Sequence, residues 1–307
     1  MIKEKNNTLI TIVGPTAIGK TALSIQLANH FNADIVSCDS RQFYKEMTIG
    51  TAVPDMDELA QAKHHFIQNR SVFEDYNVGQ FERDALATLD TLFEKNPIQI
   101  MVGGSGLYVD AVLKGLDYFP EVAKEIRESL TKVLETEGIE VLQDQLKELD
   151  LETYKTIAID NPHRLMRALE ICIGSGIPYS TFKNKPKAPR NFKTIKVGLM
   201  ADREVIYDRI NQRVDFMMDH GLPNEAKNLH EHKNLNALQT VGYRELFSFF
   251  EGDFTKEFAI SEIKKNTRRF AKRQLTWFKR DTETIWFDYQ TDIKKIIITI
   301  LNKINAF

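Results

Sequence analysis

One eight-residue run, Gly14-Pro-Thr-Ala-Ile-Gly19-Lys20-Thr21, restricts this chain more than any other feature. It satisfies the pattern GxxxxGK[ST] in full. Its glycines allow a backbone curl in which successive N–H groups face one anion, and a helix that starts at the loop adds its own free N–H groups. Lys20 supplies a mobile positive charge, and Thr21 a hydroxyl suited to Mg2+. The flanks agree. Leu9 to Val13 is a short β-branched run that reads as a buried strand, and Thr21 to His30 carries Ala22, Leu23, Leu27 and Ala28 at helical spacing. Binding of a diphosphate or triphosphate group is therefore expected at this loop.

The strand–helix alternation continues. Asp34 to Ser37 reads as a second strand, Phe81 to Phe93 as a helix, and Pro97 to Val102 as a third strand ending at Gly103-Gly104. This pattern predicts an α/β fold, a P-loop NTPase-like core with a mostly parallel sheet flanked by helices. From Glu121 to Ile177 strand character is absent and helical spacing prevails; residues 121 to 160 carry 11 acids against 5 bases. Residues 181 to 196 then hold six bases and no acid. Strands return at Ile195 to Met200 and Thr284 to Asp288. The expected organisation is a core of residues 1–119 and 196–307 interrupted by an all-helical insertion, 120–195.

Bulk properties set outer limits. Of 307 residues, 42% are apolar and 27% charged, as in ordinary globular proteins. The formal charge of −2 means that any nucleic-acid-binding surface must be local. Cys38 and Cys172 form no CxxC pair, so a disulfide framework is not expected and a cytoplasmic, reducing setting is. The polar start, Met1 to Asn7, leads into a short strand rather than a leader peptide. No run approaches the about 20 apolar residues that span a bilayer. No long heptad run suggests a dimer, so a monomer is expected.

Further residues suggest chemistry. The third strand ends in Val102-Gly-Gly-Ser-Gly106 and not in an Asp, which weakens a reading as a motor or switch NTPase. Asp39 follows the second strand and Ser105 the third, so in a parallel sheet both should face the P-loop across the crevice. Asp39 then serves as a base or substrate orienter, or caps the turn after it. Arg209 and Arg213, four apart on one helix face, suit a leaving phosphate group or surface acids equally. The helix from about Thr255 to Arg280 carries Lys264, Lys265, Arg268, Arg269, Lys272, Arg273, Lys279 and Arg280, a footprint fit for a nucleic-acid backbone or for a solvated face. His163 to Arg167 is a second basic patch, and the histidines form no metal site. On these residues alone a small-molecule kinase and a non-enzymatic RNA-binding module remain open.

Six blocks extend the reading: GPTAIGKT at 14–21, SCDSRQFYKEMTIGTAVP at 37–54, VGGSGLYVDAVLKGL at 102–116, NPHRLMRALE at 161–170, VGYRE at 241–245 and RRFAKRQLTWFKR at 268–280. In this order, nearly end to end, they resemble the bacterial tRNA dimethylallyltransferases. The resemblance implies prenyl transfer from dimethylallyl diphosphate to N6 of an adenosine beside the anticodon, in tRNAs that read codons starting with U. The P-loop would then cradle a diphosphate with Mg2+ through Gly14, Thr16, Ala17, Gly19, Lys20 and Thr21, the last also contacting the metal, with Arg209 and Arg213 in support. Asp39 would be the general base, with Ser105, where many members have Thr, and Lys20 beside the reacting centre. The implied tRNA contacts are Asp39, Ser40, Arg41, Gln42 and Ser105 in the core. Arg127, His163, Arg164, Leu165, Met166 and Arg167 belong to the insertion, which would grip the anticodon stem-loop. Gln239, Thr240, Val241, Gly242, Tyr243 and Arg244 follow, and the basic helix adds Arg269 and Arg273.

Overall fold

The computed structural model describes residues 7–306; the polar start of the chain lies outside them. Six strands, β1 (Thr8–Val13), β2 (Ile35–Ser37), β3 (His64–His65), β4 (Ile98–Val102), β5 (Lys193–Met200) and β6 (Ile285–Asp288), form one sheet. Their order is β3-β2-β4-β1-β5-β6 and every pair is parallel. The core helices before the insertion are α1 (Lys20–Phe31), α2 (Met56–Gln61), α3 (Val78–Lys95) and α4 (Gly106–Lys114). The insertion holds α5 (Lys124–Glu137), α6 (Ile139–Leu149), α7 (Leu151–Thr156) and α8 (Pro162–Ser175). The core resumes with α9 (Arg203–Asp219), α10 (Leu222–Asn228), α11 (Tyr243–Phe250), α12 (Lys256–Phe278) and α13 (Ile293–Asn305).

β1 is apolar without interruption because both sheet faces are covered. Side chains alternate across a strand, so Leu9 and Val13 pack on one side with Phe81 and Leu89 of α3, while Ile10 and Ile12 pack on the other with Leu27, Ile210 and Ile300. Burying each such side chain is worth about 1.5–3 kcal/mol, which makes the strand leading into the P-loop one of the most firmly held parts of the core. β3 is only two residues long and escapes sequence periodicity, since its partner β2 offers it just two positions, Ile35 and Val36.

The chain divides into two units, Gly115–Pro189 and the remainder. The sheet claims residues 193–195, which sequence patterning had put in the insertion, because Lys193 pairs with Thr8 and Ile195 with Ile10. Just before them Arg190 donates to Glu82 (2.6 Å) and to the Ala111 carbonyl (2.7 Å), pinning the returning chain to α3 and α4. The insertion has its own apolar centre of Leu130, Leu142, Leu146, Leu165 and Leu169. α8 starts as the sequence suggests, with Asn161 capping Arg164 N–H and Pro162 in the first turn. Asp150 organises the far end of this unit. It accepts from Thr153 N–H and O–H (2.9 and 2.6 Å) and from Ser180 N–H and O–H (2.7 and 3.0 Å). Burial works to raise its carboxyl, but these bonds prevail and hold it below the ordinary carboxylate range.

Candidate active site

All six strands point the same way, so the loops after β1, β2 and β4 meet at one sheet edge. The P-loop is shaped by backbone constraints. Gly14 lies at φ 145°, and a Cβ there would stand 2.7 Å from the Leu199 carbonyl oxygen. Ala17 holds a left-handed φ of 62° at the loop, and Gly19 at φ 107° starts α1. The first turn of α1 carries no acid, so its N–H groups and positive dipole end are left for an anion.

Around this loop lies a cavity of about 680 Å3 lined by Thr16, Ala17, Gly19, Lys20 and Thr21, with Asp39 and Gln42 opposite. Arg209 and Arg213 both line it. Arg209 Nε donates to the Ala17 carbonyl at 2.7 Å and an Arg213 N–H reaches the Thr16 hydroxyl at 3.3 Å, so these arginines stand at the P-loop and not in surface ion pairs. Lys20 Nζ donates to the Pro15 carbonyl at 2.8 Å. Burial lowers the Lys20 ammonium to about 8, with Asp39 opposing that shift and Arg213 adding to it. Burial also lowers Arg213, whose charge Asp39 and Glu58 support.

A second cavity, about 490 Å3, adjoins the first and shares Thr16, Asp39, Thr51, Gly104 and Arg213 with it. Its walls include Tyr108, Phe270 and Trp277, together with Ser40, Arg41, Ser105, Gln239, Thr240, Val241, Gly242, Arg244 and Arg273. Asp39 thus stands at the junction. Its Oδ1 accepts the Arg41 N–H at 3.0 Å, so the turn-capping role is real, and the residue lines both cavities. Ser105 is tied to this turn: its Oγ accepts the Ser40 N–H and donates to Ser40 Oγ, both at 3.1 Å. Cys38, one residue before Asp39, is wholly buried; burial, then the charges of Asp39 and Asp110, push its thiol up, so it is no nucleophile.

Several candidate tRNA contacts take other positions. Tyr243 is fully buried, donates to Glu225 (2.6 Å) and covers Gly50, where a Cβ would meet its ring at 2.6 Å. Leu165 and Met166 are core residues of the insertion, so only His163, Arg164 and Arg167 of that patch are exposed. Arg127, also exposed, shares the buried Glu170 with Arg167, at 3.1 and 3.4 Å. On α12 the basic stripe is divided. Arg273 lines the second cavity, whereas Arg269 sits with Arg203, Arg268 and Lys272 on a separate concavity, and Lys264 and Lys265 pair with Asp215 and Glu262. The Arg41 guanidinium is engaged by the carbonyls of Asn236 and Ala237, both at 3.0 Å.

Two organising residues carry no sequence signal of their own. Glu225 accepts the N–H groups of Thr48, Ile49 and Gly50, at 2.9, 2.8 and 2.9 Å, and so fixes the loop behind the site. Gln274 of α12 is buried against the P-loop, where its Oε1 accepts the Thr16 N–H at 2.8 Å. A Cβ on Gly104 would lie 2.3 Å from Gln274 Nε2, and one on Gly106 would lie 2.4 Å from the Trp277 ring, which is why the turn after β4 is glycine-rich.

Fold and site together define a P-loop α/β protein with a phosphate cradle opening into a second, aromatic-walled cavity, and with no carboxylate at the β4 tip. The chain belongs to the IPP transferase family, whose description, "IPP transferase", matches residues 42–281. It is 63% identical over 303 residues to a tRNA dimethylallyltransferase of Flavobacterium psychrophilum, covering 97% of this chain and 99% of the relative. It is 60% identical over 301 residues to one of Christiangramia forsetii, with 98% and 100% covered. Among solved structures, the full-length tRNA isopentenylpyrophosphate transferase of Bacillus halodurans superposes with a TM-score of 0.72 at 35% identity, over 98% of this chain and 96% of that one. A eukaryotic dimethylallyltransferase, described as acting on tRNA, gives 0.80 at 26% identity, over 98% and 80%.

Proposed function

We propose that the chain transfers the dimethylallyl group of dimethylallyl diphosphate to N6 of adenosine 37 of tRNA, releasing diphosphate. The acceptors would be tRNAs that read codons starting with U. The observation that carries the reading is the pair of cavities meeting at Asp39. The first, with its basic groups, suits a polyanion, and the second, walled by aromatics and polar groups, suits a flipped base, so the two reactants would meet beside this carboxylate.

Departure of diphosphate leaves positive charge on the allyl carbon and adds negative charge to the phosphate oxygens. Lys20, Arg209 and Arg213 line the P-loop cavity and, with the loop's free N–H groups, would stabilise that developing charge. The N6 lone pair is delocalised into adenine, and the amine becomes acidic as the C–N bond forms. Asp39 would take the proton, its carboxylate oriented by the Arg41 N–H that Oδ1 accepts. Ser105 holds the Asp39 turn through Ser40. Among the described residues no three His, Cys, Asp or Glu are grouped to hold a metal. The Thr21 hydroxyl at the P-loop cavity is the protein group that would hold Mg2+, an ion that takes few protein ligands and several substrate phosphate oxygens, and that would offset charge on the leaving group. His163, Arg164 and Arg167 are exposed on the insertion, and Arg244 and Arg273 line the second cavity of the core; each set, taken by itself, offers charge that would meet tRNA phosphates.

The test is direct. Protein, unmodified tRNA and Mg2+ are incubated with dimethylallyl diphosphate or with ATP, and digested nucleosides are weighed. A gain of one prenyl group on adenosine is expected with the first reagent. Phosphate transfer from ATP without prenylation would refute the assignment and favour a kinase.

A further inference from the structure

The carboxamide of Gln274 touches two catalytic loops at once. Its Oε1 accepts the N–H of Thr16 at 2.8 Å, and its Nε2 donates to the carbonyl of Gly104 at 2.9 Å. The side chain is 5% exposed, so neither bond is contested by bulk water. From Gly104 the chain runs straight to Ser105, whose hydroxyl holds Ser40 next to Asp39. On the other side, Thr16 receives Arg213 at its hydroxyl while its amide is committed to Gln274. One unbroken series of bonds therefore runs from the phosphate cradle through Gln274 to the turn that carries the base.

We propose that Gln274 is a positioning residue that sets the distance between the diphosphate cradle and Asp39, and hence between the allyl carbon and the incoming N6. This inference rests on the reading of the P-loop as a diphosphate site. The α12 helix delivers the carboxamide from outside both loops, and Gly104 lacks a Cβ because one would fall 2.3 Å from Nε2. A spacer of this kind acts on the transition state more than on the binding of either substrate. Misplacement of reacting atoms by about 1 Å costs about a hundredfold in rate.

Gln274→Met removes both bonds at similar volume. It should lower kcat about a hundredfold while the Kd values for tRNA and for inorganic diphosphate stay within about threefold. Gly104→Ala attacks the same contact from the opposite side with the glutamine intact, and tests the idea should the first variant fold poorly. Its loss should match that of Gln274→Met, and the double variant should lose no more than either alone, because both break one connection. A purely structural role would lower the melting temperature and leave kcat per folded molecule unchanged. A Gln274→Met enzyme with kcat within threefold of the parent, or with its loss confined to tRNA Kd, overturns the proposal. Lys20→Ala is measured in parallel. If it leaves diphosphate affinity intact, the cradle reading itself fails; if it weakens diphosphate while Gln274→Met leaves kcat unchanged, only the role of Gln274 falls.

Discussion

Raising the pH across the Lys20 titration gives a sharp test of the phosphate cradle. Burial lowers this ammonium to about 8, against an ordinary value of 10.5. An anion in the loop favours the charged form, so the diphosphate and the Lys20 proton should bind together. With that value, about nine-tenths of the molecules carry the proton at pH 7 and about one-tenth at pH 9. The affinity for dimethylallyl diphosphate should therefore fall about tenfold over those two units. Its phosphates are already ionised there, their second pKa lying at about 6. Calorimetry at pH 8 in two buffers of different ionisation enthalpy should show uptake of about half a proton per ligand bound. Lys20→Arg, charged at every pH used, should bind more weakly overall but lose the decline. An affinity flat from pH 7 to 9, or heats independent of the buffer, would falsify the account of Lys20 as a buried, proton-linked ligand of the diphosphate.

Three further outcomes follow from single contacts. Asp39→Asn should cut kcat by about 10²–10⁴ in single-turnover prenylation, with tRNA Kd nearly unchanged in filter binding. Asp150→Ala strips four hydrogen bonds from one buried carboxylate and should cost about 2–4 kcal/mol in denaturant unfolding. Because the Asp150 carboxyl lies below its unfolded value, its contribution is present above the ordinary carboxylate range and lost as pH falls through the folded value, so the variant should differ least from the parent in acid. Tyr243→Phe removes the donor to Glu225 and should lower the melting temperature while leaving tRNA Kd unchanged, as a core residue would.

The parallel sheet and the location of Asp39 and Ser105 were legible because both follow from local rules: apolar runs, glycine turns and the shared edge of parallel strands. The P-loop could be read, with Lys20 and Thr21 at the cavity it lines, because its curl and the helix start are encoded in consecutive residues. Arg209 and Arg213 were legible as a pair with two equal readings, a phosphate group or surface acids, and only the packing of α9 against the P-loop decides between them. Leu165, Met166 and Tyr243 lie within contiguous motif blocks yet point inward, since a helix turns about 100° per residue and a block says nothing of facing. Arg269 and Arg273, four apart and so on nearly the same helix face, are divided instead by what packs beside them, since one sits on a separate concavity and the other lines the second cavity. Gln274 and Glu225 were not found because their value lies in backbone groups far away in sequence, and a carboxamide or carboxylate looks alike whether it meets water or a distant N–H.

The order of strands also has a consequence for synthesis. β1 is flanked by β4 and β5, and the whole of Gly115–Pro189 is made between those two neighbours. When β4 leaves the ribosome, the phosphate-loop strand has only one of its two partners, and its other edge stays open until β5 emerges. The insertion, whose contacts are short-range in sequence, can complete its own centre during that interval. The nascent core must therefore wait with an exposed edge for a segment that lies beyond an already folded unit. Pausing or truncation after residue 189 is the point at which this chain is most open to mispairing.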